Sequence, residues 1–235
     1  MTGARAQMLG AIRDGLRHAV LPDAEAGAAA TPRAGTAVPT VTAGTVGPEM
    51  LWRQFTDVLT ALTGHVHHAT SAVEAADIVL AVAAEHGART CLGWDGDQLG
   101  CDGLLEELAA RGLARTTYDL SFDAGRRSAE VPALGDVVLG LTGSDAAIAD
   151  AGAIVLASGP GRGRLTSLLP PVHVALVSAS RIWPSLPALL ADVPDLVGRG
   201  ANTVVIAGPS RTADIEMTLT HGVHGPKHLP VIVMP

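Results

Sequence analysis

Three loops in the second half of the chain hold side chains that bind anions or move protons. They are TGSDAAIAD (142–150), SGPGRGRLT (158–166) and AGPSRTADIE (207–216). In the third, Gly208-Pro209 breaks the preceding apolar run, and Ser210 or Thr212 then has the character of a helix N-cap. A helix opening there would present unpaired N–H groups, and Arg211 would set a cation beside them, a trap for phosphate or carboxylate. The same residues also permit an architectural reading. In it Ser210 caps, Asp214 complements the helix dipole and Arg211 pairs with Asp214 or Glu216. In the second loop the glycines resemble a phosphate cradle, and Arg162 with Arg164 would clamp an anion. Neither Gly-Lys-Ser/Thr nor G-x-G-x-x-G spacing occurs, and a solvated turn is the plainer alternative. In the first loop Asp145 and Asp150 stand five apart and do not share a helix face well; Asp145 suits the cap of a short helical turn.

Histidines gather twice, as His65, His67 and His68 and as His221, His224 and His228. On a strand His65 and His67 share a face and His68 takes the other. A metal site needs three convergent ligands, which this spacing does not fix, so structural or surface histidines are expected and no metal is assigned. His173 follows Pro170-Pro171 inside an apolar run and reads as a hydrogen-bonded core histidine. The two cysteines, Cys91 and Cys101, read as reduced thiols, too few to hold an iron–sulfur cluster. There is no G-x-S-x-G elbow, H-E-x-x-H, kinase signature or Cys/His nucleophile pattern.

The elements that must position these loops follow from periodicity. Residues 4–21 carry Leu9, Ile12, Leu16 and Val20 at helical spacing, an amphipathic arm. Residues 22–49, rich in Ala, Gly, Pro and Thr, read as a flexible linker. The globule (50–235) opens with a helix through Leu51, Phe55, Val58, Leu59 and Leu62, with Gly64 at its C-terminal left-handed position. Ser71 and Glu74 form a capping-box pattern for a helix running to His86. Further helices are read over 102–111 and near 185–197. Near-continuous apolar runs at 137–142, 153–158, 172–177, 203–207 and 229–234 predict buried strands, with 65–69 and 89–94 as strands and 115–120 as an edge strand. Residues 144–151 read as a turn or short helix. The adjacent runs 137–142 and 153–157 suggest an inserted antiparallel section. Alternation of strands and helices gives an α/β fold with a largely parallel sheet.

Composition sets the outer limits. The chain has 235 residues, 48% of them hydrophobic and only 3% aromatic, so its core is aliphatic and amounts to one domain with an extension. Net charge is −7, Lys227 is the sole lysine, and no basic patch interleaved with aromatics occurs, which argues against nucleic-acid binding. No apolar run reaches the ~18–20 residues of a membrane span, and the N-terminal segment lacks a signal-peptide core, so a cytoplasmic protein is expected.

The stretches LTGSDAAIADAGAIVLASGPGRGRLTSLLPPVHVALV and VVIAGPSRTADIEMTLTHGVHGPKHLPVIV resemble the LUD-domain family of the lactate-utilisation protein C type, in order and spacing. The resemblance covers roughly residues 50–235 and is densest from 140 to 234. It implies a fold similar to the sugar-phosphate isomerase and CoA-transferase superfold. It implies a subunit that acts with iron–sulfur partner proteins in oxidising L-lactate to pyruvate, the clusters lying on the partners and no cofactor on this chain. Carried over by motif, it marks Asp145, Asp150, Asp214 and Glu216 for catalysis. It marks Thr142, Gly143, Arg164, His173, Ser210, Arg211 and His224 for binding a small anionic metabolite. Two other readings stand beside it. One is a stand-alone superfold enzyme acting on a sugar phosphate or CoA thioester, with Glu216 as nucleophile; the other is a non-catalytic scaffold or regulatory subunit. The apolar stripe of the arm would serve homo-oligomerisation, partner docking or packing on its own globule.

Overall fold

Apolar residues at four-residue spacing shape the first helix of the globule, α1 (Pro48–Ala61), in which Phe55 and Leu59 are buried. Pro48 sits in its first turn, where a missing N–H costs nothing, so the last two residues of the expected linker belong to the helix. At its other end the left-handed position is taken by Thr63 (φ 67), not Gly64. Thr63 N–H donates to the Thr60 carbonyl at 2.9 Å and Gly64 N–H to the Leu59 carbonyl at 2.9 Å, a Schellman ending.

The computed structural model describes residues 47–118, 134–212 and 220–235, with Gly10 and Asp14. The chain divides into two units, Met1–Thr40 and Val41–Pro235. In the first only Gly10 and Asp14 are described, both helical. The remainder of the arm, most of the linker, Asp214 and Glu216 lie outside the described residues.

In chain order α1 is followed by β1 (His65–His68), α2 (Ala72–Glu85), β2 (Thr90–Gly93), α3 (Leu104–Ala110) and β3 (Ala114–Thr116). Then come β4 (Leu139–Thr142), β5 (Ala146–Ile148), β6 (Ala153–Ser158), β7 (Val172–Ser178), β8 (Ile182–Trp183) and α4 (Leu186–Asp192). The last are β9 (Asn202–Ile206), β10 (Arg211–Thr212), β11 (Thr220–His221) and β12 (Pro230–Met234). The capping box of α2 is formed: Glu74 N–H donates to Ser71 Oγ at 3.2 Å, and the Glu74 carboxylate accepts from Thr70 N–H at 2.7 Å.

Six strands make a wholly parallel sheet in the order β1-β12-β7-β4-β2-β3. Its central strands are buried on both faces, which explains their unbroken apolar sequences; all residues of β4 and β12 are buried. A second sheet, β8-β5-β6-β9, has antiparallel pairs on both sides of β6. An antiparallel section was expected, but β4 and β6 do not pair; β4 belongs to the parallel sheet. The segment read as a turn or helix at 144–151 supplies β5, since Ala146, Ala147 and Ile148 are all buried against β6. Tertiary burial overrides the helical propensity of its alanines. The helix expected to open at Ser210 is likewise absent at that point: Arg211 and Thr212 pair antiparallel with His221 and Thr220.

Candidate functional site

Ligands of parallel sheets sit beyond the carboxyl ends of the strands, and a cavity of about 370 Å³ lies there, lined in part by Gln98, Asp145, Ser158, Arg162, Arg181 and Arg199. Gln98 follows β2 and Asp145 follows β4, which are neighbours in the sheet. The link from β4 is tightly held: a side chain at Gly143 would strike the Gln98 carbonyl. Asp145 donates its N–H to the Val155 carbonyl at 2.8 Å. Its carboxylate Oδ2 accepts from Ala157 N–H at 2.7 Å and its Oδ1 from Arg162 Nη1 at 2.7 Å. The Asp145 side chain is 4% exposed, so both bonds are needed to keep a charge there. Asp145 therefore acts as an anchor for Arg162, with both oxygens committed.

Arg162 is the best-fixed cation of the cavity. Gly159-Pro160-Gly161-Arg162 is a tight turn in which Arg162 N–H donates to the Gly159 carbonyl at 2.9 Å. Proline sets the first central residue, and Gly161 takes φ 70 at the second, the position that requires it. The glycine-rich loop is thus a built turn. Arg162 Nε donates to Gln98 Oε1 at 2.7 Å, and the guanidinium carbon lies 5.4 Å from the Trp94 ring centroid. Two of its five N–H donors are spent inside the protein. Arg181 is exposed and has no partner among the described residues. Arg199 is held by Asp195 at 2.9 and 3.0 Å. That hydrogen-bonded pairing, with the nearby Asp145 charge adding to it, raises the Arg199 pKa further. Three guanidiniums face one carboxylate in the lining, so the cavity favours anions.

A separate cavity of about 250 Å³ lies beside the amino end of β7 and gathers His173, Ser210 and His224. His173 is 0% exposed, and its Nε2 lies 2.8 Å from Thr142 Oγ1 on the adjacent strand. Burial pushes its pKa down to about 3, so it is neutral at physiological pH. Ser210 is fixed by its backbone, donating its N–H to the Pro226 carbonyl at 2.8 Å and accepting from Gly222 N–H at 2.9 Å.

The expected site residues thus divide. Thr142, His173, Ser210 and His224 converge on the second cavity, and Asp145 and Gly143 on the first. Asp150, Arg164 and Arg211 are exposed and line neither. Arg164 occupies a single short turn (Arg164–Ser167), and Arg211 lies on β10, so the expected alliance of Arg211 with a helix N-terminus is not formed. Gln98, Arg181 and Arg199 had no motif around them; only the topology brings them together. The thiols of Cys91 and Cys101 are free and buried, and burial lifts the Cys91 pKa to about 11. Among the described residues no group of three or more His, Cys, Asp or Glu is arranged to hold a metal ion. No helix among them is long and apolar enough to cross a membrane.

The parallel sheet with its appended antiparallel section and flanking helices defines an α/β protein of one family. The LUD domain matches residues 52–234, and the chain belongs to that family. Among its relatives, Lactate utilization protein C of Geobacillus sp. (strain WCH70) is 35% identical over 173 residues, 70% of this chain and 70% of that protein. Lactate utilization protein C of Shouchella clausii is 33% identical over 153 residues, 63% of this chain and 64% of that one. The fold is shared with the crystal structure of a DUF162 family protein from Deinococcus radiodurans. That match has a TM-score of 0.57 at 22% identity and covers 81% of this chain and 99% of the other.

Proposed function

We propose that this chain serves lactate utilisation as the cluster-free component of a system that oxidises L-lactate to pyruvate with iron–sulfur partner proteins. The reaction releases two electrons and two protons. In this reading the electrons leave through the partners' clusters, and this chain binds the small acid. The observation that carries the binding assignment is the arginine-walled cavity at the carboxyl ends of β2 and β4. Arg162 is locked in place by Asp145, Gln98 and Trp94 while retaining free donors, and Arg181 lies in the same lining without a partner among the described residues. A guanidinium fork matches a carboxylate in charge and geometry. The names of the relatives at 33–35% identity support the lactate role.

The test is calorimetric titration of the full chain with L-lactate and pyruvate against neutral lactamide. The acids bind and the amide does not; Arg181→Ala weakens the acids by about tenfold, ~1.4 kcal/mol, whereas Arg211→Ala leaves them unchanged. Equal losses in the two variants, or equal binding of lactamide, would overturn the assignment. Lactate-dependent dye reduction by the iron–sulfur partners, with and without this chain, tests the wider role: unchanged activity on its omission refutes it. Turnover of a sugar phosphate by the chain alone would favour the stand-alone enzyme reading instead.

A further inference from the structure

The cavity at the amino end of β7 has a chemistry opposite to that of the arginine cavity. The two share no lining residue. No Asp, Glu, Lys or Arg lines it; Leu168, Val205, Pro209, Pro226 and Leu229 give it an apolar wall. Transfer of an ion into such a wall loses hydration that nothing replaces. Yet it is not wholly apolar. His173 belongs to the lining and is fully buried, its Nε2 is engaged by Thr142, and its Nδ1 has no hydrogen-bond partner among the described residues. Buried polar atoms are almost always satisfied, and one that is not calls for a ligand. Ser210 and His224 add further hydrogen-bonding groups.

We infer that this cavity is a second ligand site, which takes an uncharged molecule with an apolar body and one carbonyl or hydroxyl oxygen seated at His173 Nδ1. The Thr142 hydroxyl makes the recognition adaptable. When it donates to Nε2, the ring proton sits on Nδ1 and is offered to a carbonyl. When Nε2–H donates to Thr142 Oγ1, Nδ1 accepts from a hydroxyl. In both tautomers the ring is neutral, and so is the partner it selects. At ~30 Å³ per water, the volume has room for about eight waters or one small ring compound. The inference does not depend on the lactate reading, because it uses none of the arginine cavity.

Cyclohexanone and cyclohexanol are suitable probes, with methylcyclohexane as the purely apolar control and cyclohexanecarboxylate as the charged one. Full-length protein labelled with ¹⁵N-histidine is titrated with each, and the His173 side-chain nitrogens are followed by NMR. The ketone and alcohol bind saturably and move His173 Nδ1, while the carboxylate and methylcyclohexane bind at least ~10-fold more weakly. His173→Phe abolishes the preference for the oxygen. Should that buried substitution prevent folding, Ala207→Phe at an exposed lining position decides the matter by filling the space and reducing binding at least ~10-fold. The proposal fails if no probe saturates, if the carboxylate binds as well as the ketone, or if Ala207→Phe leaves binding intact. It also fails if His173→Phe folds and keeps the preference, or if a crystal grown with the ketone shows only water at Nδ1.

Discussion

Replacing Asp145 with Asn tests whether the arginine cavity is built around a buried ion pair. The change is nearly isosteric, so packing is preserved and the loss is electrostatic. The Asn carbonyl can still accept from Ala157 N–H, as Asp145 Oδ2 does at 2.7 Å. The amide nitrogen then stands where Oδ1 met Arg162 Nη1 at 2.7 Å, and two donors face each other. A hydrogen bond to a charged group contributes ~1.5–3 kcal/mol. Removing one partner of a fully buried pair costs ~3–5 kcal/mol. Asp145 is 4% exposed but Arg162 27%, so the stranded guanidinium can recover part of its hydration. The expected cost is therefore about 2–3 kcal/mol, a fall of roughly 1 M in the urea midpoint at an unchanged slope. Asp150→Asn, at an exposed position, changes stability by less than about 0.5 kcal/mol. A double-mutant cycle with Arg162→Met isolates the pair and should give a coupling above ~1 kcal/mol. A loss below about 0.5 kcal/mol in Asp145→Asn, or zero coupling, would refute the view that this carboxylate anchors Arg162.

Two further expectations concern groups whose protonation is set by burial. His173 has a pKa of about 3, lowered by desolvation, and those of His67 and His228 are lowered chiefly for the same reason. Since the unfolded chain protonates first, near 6.5, their contribution is complete above that pH and is lost as pH falls towards the folded values. Urea unfolding at steps from pH 7 to 5 should show stability dropping with a slope approaching ~1.4 kcal/mol per pH unit for each such histidine, and a folded His173→Phe variant should show a shallower slope; equal slopes would contradict the assignment. Cys91 is fully buried with its pKa raised to about 11, so native protein should not react there with a thiol reagent at pH 8, whereas urea-unfolded protein should; rapid native labelling mapped to Cys91 would count against the packing described.

The fold was more legible in the sequence than the sites were. Strands β4, β6, β7 and β12 lie buried on both faces, and so appear as uninterrupted apolar runs. The Ser71/Glu74 box is a local signal and forms where it was read. Where the reading failed, distant contacts had decided the outcome. Ala146–Ile148 looks helical in isolation, and only its partner β6 makes it a strand. Arg211-Thr212 looks like a helix start, but pairing with Thr220-His221 takes it into a hairpin. The arginine cavity has the same cause. Arg162 carries a local signal in its Pro-Gly turn, whereas Arg181 and Arg199 come from unrelated connections and meet it only through the packing of the two sheets.

One short segment ties both cavities to the parallel sheet. Thr142 is the last residue of β4, fully buried, and its hydroxyl lies 2.8 Å from His173 Nε2. Three residues later Asp145 pins Arg162 and the β6 backbone through bonds of 2.7 Å each. Between them Gly143 lies so close to the Gln98 carbonyl that no side chain fits. A segment bonded at both ends and crowded in the middle has little freedom to shift. The neutral histidine on one side and the fixed cation on the other therefore owe their positions to the same backbone. This accounts for why the motif TGSD holds a threonine, a glycine and an aspartate at these spacings even though none of the three need contact a reacting bond: each sets the geometry of a neighbour that faces a ligand.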